Sequence, residues 1–218
     1  MSDVIISKKN EVYIKLECDP HILYELQEYF TFDVEGAKFM PQMRSRHWDG
    51  KIRLLSTHTG EIYAGLLDKV VEKIKLHNYT YEFKSNPYYG LPFEVNDNIS
   101  EGGVYDYVNS ISRYKPRSYQ LEGIYTALRY NRKLLISPTA SGKSLMIYSL
   151  VRYYVAKDEK ILLIVPTTSL VEQMVKDFSD YGWDSDSNCH KIYSGREKHT
   201  NLPVTVTTWQ SIYKLPKS

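Results

Sequence analysis

What this sequence lacks narrows the reading first. It has two cysteines, Cys18 and Cys189, in 218 residues. They lie far apart and lack the short spacings that chelate zinc, so a disulfide framework and a cysteine metal site are both excluded. The pair reads as isolated, reduced thiols of an intracellular protein. No run reaches the ~18 consecutive apolar residues of a membrane span, and Met1-Ser2-Asp3-Val4 does not begin a signal peptide. A cytoplasmic protein without a membrane partner is expected. An excess of one charge is missing too: 28 Lys and Arg face 26 acids, net +2. Any nucleic-acid surface must therefore come from local clustering. There are no internal repeats and no low-complexity runs. Tyrosine is plentiful, 20 residues against 6 Phe and 3 Trp, which a low-GC coding bias explains as readily as function does.

The length and a 42% hydrophobic content suffice for one large domain or two small ones. Residues 4 to 17 alternate as two short strands around Lys8-Lys9-Asn10, with Val12, Ile14 and Leu16 on one side. Asp19-Pro20 then starts a helix whose apolar face is Ile22, Leu23, Leu26 and Tyr29/Phe30. Residues 51 to 56 and 61 to 65 read as strands joined at Thr59-Gly60, Leu66 to Leu76 as a helix, and Tyr79 to Phe83 as a last strand. Residues 1 to 85 therefore form an α+β domain. From 86 to 113 the periodicity fades among Asn86-Pro87, Gly90, Pro92 and Gly102-Gly103, the signs of a linker, with a short helix from Tyr105 to Ile111. After it the pattern alternates: helix 118 to 130, strand 133 to 137, helix 142 to 156, strand 160 to 165, helix 169 to 180, and strands near 190 to 193 and 203 to 207. That order predicts an α/β domain over 114 to 218, a parallel sheet with helices on both faces.

The chemistry concentrates between Lys133 and Ser149. Leu134-Leu135-Ile136 leads into Ser137-Pro138-Thr139-Ala140-Ser141-Gly142-Lys143-Ser144 and then a helical pattern. Small residues let backbone N–H groups wrap a polyphosphate, and the following helix adds the positive end of its dipole. Thr139, Ala140, Ser141 and Gly142 would form the cradle. Lys143 would reach the β- and γ-phosphates, and the Ser144 hydroxyl would ligate Mg²⁺. The pattern G-x-x-x-x-G-K-[ST] is met except at its first glycine, which is Ser137 here.

Other stretches frame this loop. Between Lys38 and Arg53, five cations (Lys38, Arg44, Arg46, Lys51, Arg53) face one acid, Asp49, with His47 and Trp48 among them. Two readings stand: a surface that grips phosphates and stacks a base, or a solvated loop pinned by a buried Trp48. Upstream of the loop, Arg117 offers a plane to stack on adenine and Gln120 an amide for its N6 and N7 edge, or the two simply open a polar helix. Downstream, the strands ending at Pro166-Thr167-Thr168 and Val204-Thr205-Val206-Thr207-Thr208 put hydroxyls at helix starts along a sheet edge. Ordinary capping explains each one alone.

Taken together, R-S-Y-Q, S-P-T-A-S-G-K-S, I-V-P-T-T-S-L-V-E-Q-M and V-T-V-T-T-W-Q-S resemble the Q motif and motifs I, Ia and Ib of superfamily 2 helicases, over residues 115 to 213. F-x-F-x-x-x-G-x-x-F-x-P, R-x-R-x-W-D-G-K-I-R-L-L and G-E-I-Y-A-G-L-L resemble the N-terminal domain of UvsW-type helicases of T-even-like phages. The resemblance implies a RecA-like second domain and an ATP- and Mg²⁺-dependent monomeric motor on branched or single-stranded DNA or RNA–DNA hybrids, in recombination and repair. It also implies adenine contacts from Arg117 and Gln120, and contacts to the DNA backbone from Thr167 and Thr208. Arg44, Arg46, Trp48, Lys51 and Arg53 are the candidate DNA contacts of the first domain. The loop departs from the family's A-P-T-G-S-G-K-T at Ser137, Ala140 and Ser144, all small.

The family's next element, a strand ending in D-E-x-H, is not found, and Asp177, Asp180, Asp184 and Asp186 follow no apolar strand that could replace it. An incomplete RecA-like domain that does not hydrolyse ATP appreciably by itself is expected. Three alternatives remain: a stand-alone DNA-binding module with a non-hydrolysing nucleotide site, the motor of a restriction-type translocase, and a P-loop kinase.

Overall fold

A computed structural model describes residues 2–93, 95–130, 132–193 and 199–213. The final positions of the second expected domain, 214–218, lie outside the described residues. The chain forms two compact units, Met1–Glu94 and Val95–Ser218.

In the first unit, Val4–Lys8 (β1) and Tyr13–Cys18 (β2) form the expected antiparallel pair, with Ile6 opposite Leu16. Pro20–Tyr29 (α1) follows from Asp19, which has extended backbone and makes no side-chain cap. The next segment leaves the main sheet. Thr31–Asp33 (β3) pairs with Lys51–Arg53 (β4), and between them lie a 3₁₀ turn, Ala37–Phe39, and one helical turn, Pro41–Arg44 (α2). Glu61–Tyr63 (β5) returns to pair with β2. The strands expected at 51 to 56 and 61 to 65 thus belong to different sheets, because β3, too short to announce itself, takes β4. Gly60 makes the return possible: its φ is +70°, and a Cβ there would lie 2.3 Å from the Leu16 carbonyl oxygen.

Leu67–Leu76 (α3) and Tyr81–Lys84 (β6) complete the unit, β6 running parallel to β1. The sheet order is β5-β2-β1-β6. Alternation places Val4, Ile6, Ile14, Leu16 and Ile62 on one face, where they pack with Ile22 and Leu26 of α1 and Val70 and Ile74 of α3. Each such aliphatic contributes about 1.5–3 kcal/mol when fully buried.

The second unit opens with Glu101–Ile111 (α4), inside the stretch expected to be a linker. Ser100 caps it, accepting from the Gly103 N–H at 3.1 Å. Val104 and Val108 are buried against Ile124, Leu128 and Met146. That burial outweighs the helix penalty of Gly102 and Gly103, about 1 kcal/mol each. Ser118–Tyr130 (α5), Lys143–Val155 (α6), Ile161–Val165 (β7), Thr168–Asp180 (α7), Cys189–Ile192 (β8), Val204–Thr208 (β9) and Trp209–Tyr213 (α8) follow.

The sheet is parallel, in the order β7-β9-β8. Ile161, Leu163 and Val165 lie beside Val204, Val206 and Thr208 in register. Their aliphatic members pack with Leu145, Tyr148 and Val151 of α6 and Val171, Val175 and Phe178 of α7. On the opposite face of β7, Leu162 and Ile164 are about half exposed.

The strand expected at 133 to 137 does not form. Leu134 is 84% and Ile136 90% exposed. A strand exists only through its ladder, and among the described residues none pairs with this run, so its apolar pattern has nothing to satisfy it.

Candidate nucleotide-binding site and basic lobe

The loop ahead of α6 is shaped by two left-handed residues, Ala140 (φ +62°) and Gly142 (φ +75°). Glycine at 142 is required twice, by its φ and by space, since a Cβ would lie 2.4 Å from Gln120 Nε2. Ala140 holds the same backbone region at a cost of about 1–2 kcal/mol. Lys143 Nζ folds back over the loop and donates to the carbonyls of Ser137 (2.9 Å) and Pro138 (2.5 Å). The same ammonium can exchange these carbonyls for phosphate oxygens. Ser144, half-buried in the first turn of α6, has its hydroxyl 2.7 Å from that of Tyr181.

The segment before α5 closes on this loop. Gln120 is 5% exposed. Its amide donates to the carbonyls of Ser141 (3.0 Å) and Gly142 (3.3 Å), and its carbonyl accepts the Arg117 N–H at 2.8 Å. The Tyr119 hydroxyl donates to Ser141 O at 2.8 Å and accepts from the exposed Arg117 guanidinium at 3.1 Å. Arg117 and Gln120 are thus brought to the loop, but Gln120 acts as a brace and reaches an adenine edge only by exchanging one of these bonds. Tyr119 and Tyr181 were not expected at the site. Tyr119 could have been read from its place in R-S-Y-Q; Tyr181 lies 37 residues from Ser144, with no local signal among so many tyrosines.

Of the acids considered as substitutes, Asp177 lies one turn before Tyr181 on α7, and Asp184 accepts the Ser187 N–H. Among the described residues no group of three or more His, Cys, Asp or Glu side chains could hold a metal ion. A nucleotide-borne Mg²⁺ would fit Ser144 on other grounds: a hydroxyl beside a lysine at a helix start, with other ligands to come from the nucleotide and water. Cys18 and Cys189 are free, and burial pushes their thiols up to about 11 and about 12, which makes both inert.

At the ends of the parallel strands the two threonines differ. Thr167 is exposed and caps α7, accepting from the Leu170 N–H at 3.3 Å. Thr208 is 4% exposed and paired with Ser211 at 2.9 Å. Thr167 is thus accessible at the strand end, while Thr208 is enclosed.

In the first unit, the β3–β4 lobe carries the basic stretch. Trp48 is half-buried and its Nε1 donates to Lys51 O at 2.8 Å. A shallow cavity of about 400 Å³ is lined by Met43, Arg46, His47, Trp48 and Asp49. Arg53 is committed to Asp49 by two bonds (3.2 and 2.5 Å), which hold the Asp49 carboxyl down at about 2. Arg44, Arg46 and Lys51 are exposed and, among the described residues, form no ion pair. Exposed Phe32, Phe39, Met40 and Ile52 share the lobe. The exposed cations are therefore present, while Trp48 is not the buried core anchor expected but is half-buried and bonded within its own lobe.

Residues 3–84 match the family described as DNA helicase UvsW, N-terminal, and residues 113–217 match the family of the type III restriction enzyme res subunit. The chain is 34% identical over 215 residues to the ATP-dependent DNA helicase uvsW of Enterobacteria phage T4, an alignment that takes in 94% of this chain and 42% of that protein. The chain thus spans about two-fifths of that relative's length. A crystal structure of the UvsW helicase from bacteriophage T4 superposes with a TM-score of 0.85 at 30% identity, covering 98% of this chain and 77% of the other. A second T4 UvsW structure gives 0.86 at 30% identity, covering 98% and 44%. The fold is accordingly an α+β N-terminal domain followed by part of a RecA-like domain, and the chain belongs to the UvsW helicase family.

Proposed function

We propose that this chain is the N-terminal part of an ATP-dependent DNA helicase that acts on branched DNA and R-loops in recombination and repair. The first unit serves as a DNA-binding accessory domain, and the second, with α4 from the expected linker packed into its core, is the nucleotide-binding part of the first motor domain. The observation that carries this is the loop itself: left-handed Gly142 fitted against Gln120, with Lys143 and Ser144 following at the start of α6. Thr139 to Gly142 cradle the phosphates with backbone N–H groups, Lys143 neutralises them, and Arg117 lies against adenine. Ser144 is the side chain that would hold a Mg²⁺ accompanying ATP, which would supply charge to offset the phosphates.

DNA is gripped by Arg44, Arg46 and Lys51, with Trp48 offering a stacking face and Thr167 a backbone contact; Arg53 supports the lobe through Asp49. The carboxylates and the arginine that drive hydrolysis are not gathered at the loop among the described residues, so these residues bind ATP without appreciable turnover. The protein works as a monomer in the host cytoplasm.

The test is binding of a fluorescent ATP analogue and of a labelled DNA fork by the full chain. Lys143→Ala should weaken nucleotide binding roughly 10- to 100-fold, the worth of a charged hydrogen-bond donor. The Arg44→Glu, Arg46→Glu variant should weaken DNA binding and reduce its salt slope by about 2. Unchanged nucleotide affinity in Lys143→Ala would overturn the assignment of the loop.

A further inference from the structure

We infer that Tyr181 is a positioning residue for the metal that accompanies the nucleotide: it accepts the Ser144 proton and so turns the hydroxyl lone pairs toward the cation. This rests on the nucleotide-binding reading of the loop and goes beyond it. A serine hydroxyl has one hydrogen and two lone pairs. It can ligate a cation only through a lone pair, so its hydrogen must point to an acceptor elsewhere. Tyr181 Oη, 2.7 Å from Ser144 Oγ, is placed to be that acceptor, either hydroxyl of the pair being able to donate.

The tyrosine is itself held in place from several sides. It caps the end of α7 with its N–H on Asp177 O, and its own carbonyl accepts the Arg113 N–H at 3.2 Å. Its ring stands edge-on to Tyr114 (centroids 5.7 Å) and tilted against Tyr148 (5.2 Å). A hydroxyl fixed by a helix end, a backbone bond and two rings has little freedom to follow Ser144, so Ser144 must adapt to it.

The decisive variant is Tyr181→Phe, which removes the oxygen and keeps the ring against Tyr114 and Tyr148. Affinity for a fluorescent ATP analogue is measured in the full chain with Mg²⁺ and again with EDTA. The ratio of the two, the metal enhancement, should fall roughly two- to tenfold in Tyr181→Phe, with the EDTA value unchanged. In a Ser144→Ala background the same substitution should add nothing, as a double-mutant cycle requires for a direct pair. An unchanged ratio, a rise in it, an equal loss with and without metal, or a further loss beside Ser144→Ala would each overturn the proposal. Failure of the wild-type chain to bind nucleotide would instead remove the reading of the loop beneath it.

Discussion

The β1 strand and the run before the phosphate loop have the same sequence character and opposite fates. Val4-Ile5-Ile6 pairs on both sides, with β2 and with β6, and Val4 and Ile6 are buried. Leu134-Leu135-Ile136 pairs with nothing among the described residues and exposes its aliphatics. Apolar pattern is thus a statement about potential. Whether a strand forms is decided by the ladder that receives it, and residues far away in the chain supply that ladder.

The comparison can be broken most forcefully by mutation of its two members. Ile6→Ala should cost about 2–5 kcal/mol in urea unfolding, because its neighbours on β2, α1 and α3 cannot collapse into the space. Ile136→Ala should stay within about 0.5 kcal/mol of wild type, as an exposed site does. Similar costs at the two positions would refute the contrast.

A smaller effect sharpens the comparison within the loop. Gly142→Ala should lose stability by about 1–3 kcal/mol and displace Gln120, since both φ and space forbid a Cβ there. Ala140→Gly should gain about 0.5–1 kcal/mol, the relief of a left-handed alanine less the extra backbone entropy of glycine. Thermal unfolding of the two variants beside wild type reads both signs.

Much of this was legible in sequence where the signal is local. The alternation of residues 4 to 17, the Asp19-Pro20 helix start and the helices from Ser118 onward all appear where expected. The positions of Gly142 and Lys143 at the start of α6 were legible because a run of small residues ahead of a helical pattern marks where the helix begins. What escaped was non-local. Three-residue β3 carries no period of its own, so its claim on β4 could not be seen. The short helix expected from Tyr105 to Ile111 ends where expected; what escaped was its earlier start at Glu101, through two glycines, which only the burial of Val104 and Val108 explains. At the site, Gln120 was legible by residue type but not by its partners, since the fold commits its amide to the Ser141 and Gly142 carbonyls. The same limit hid Thr208, which strand pattern placed at a sheet edge and packing then buried. Tyr181 reaches Ser144 only because α7 folds back along α6, a fact no window of sequence contains.

The central claim, that residues 137 to 145 are a nucleotide site built on the first turn of α6, is tested most directly by amide hydrogen exchange on the full chain. With a non-hydrolysable ATP analogue and Mg²⁺, exchange should slow across Ser137 to Leu145 and around Arg117 to Gln120, while β1 and β2 stay unchanged. Protection confined to the first unit, or none at all under conditions where the analogue is bound, would contradict it.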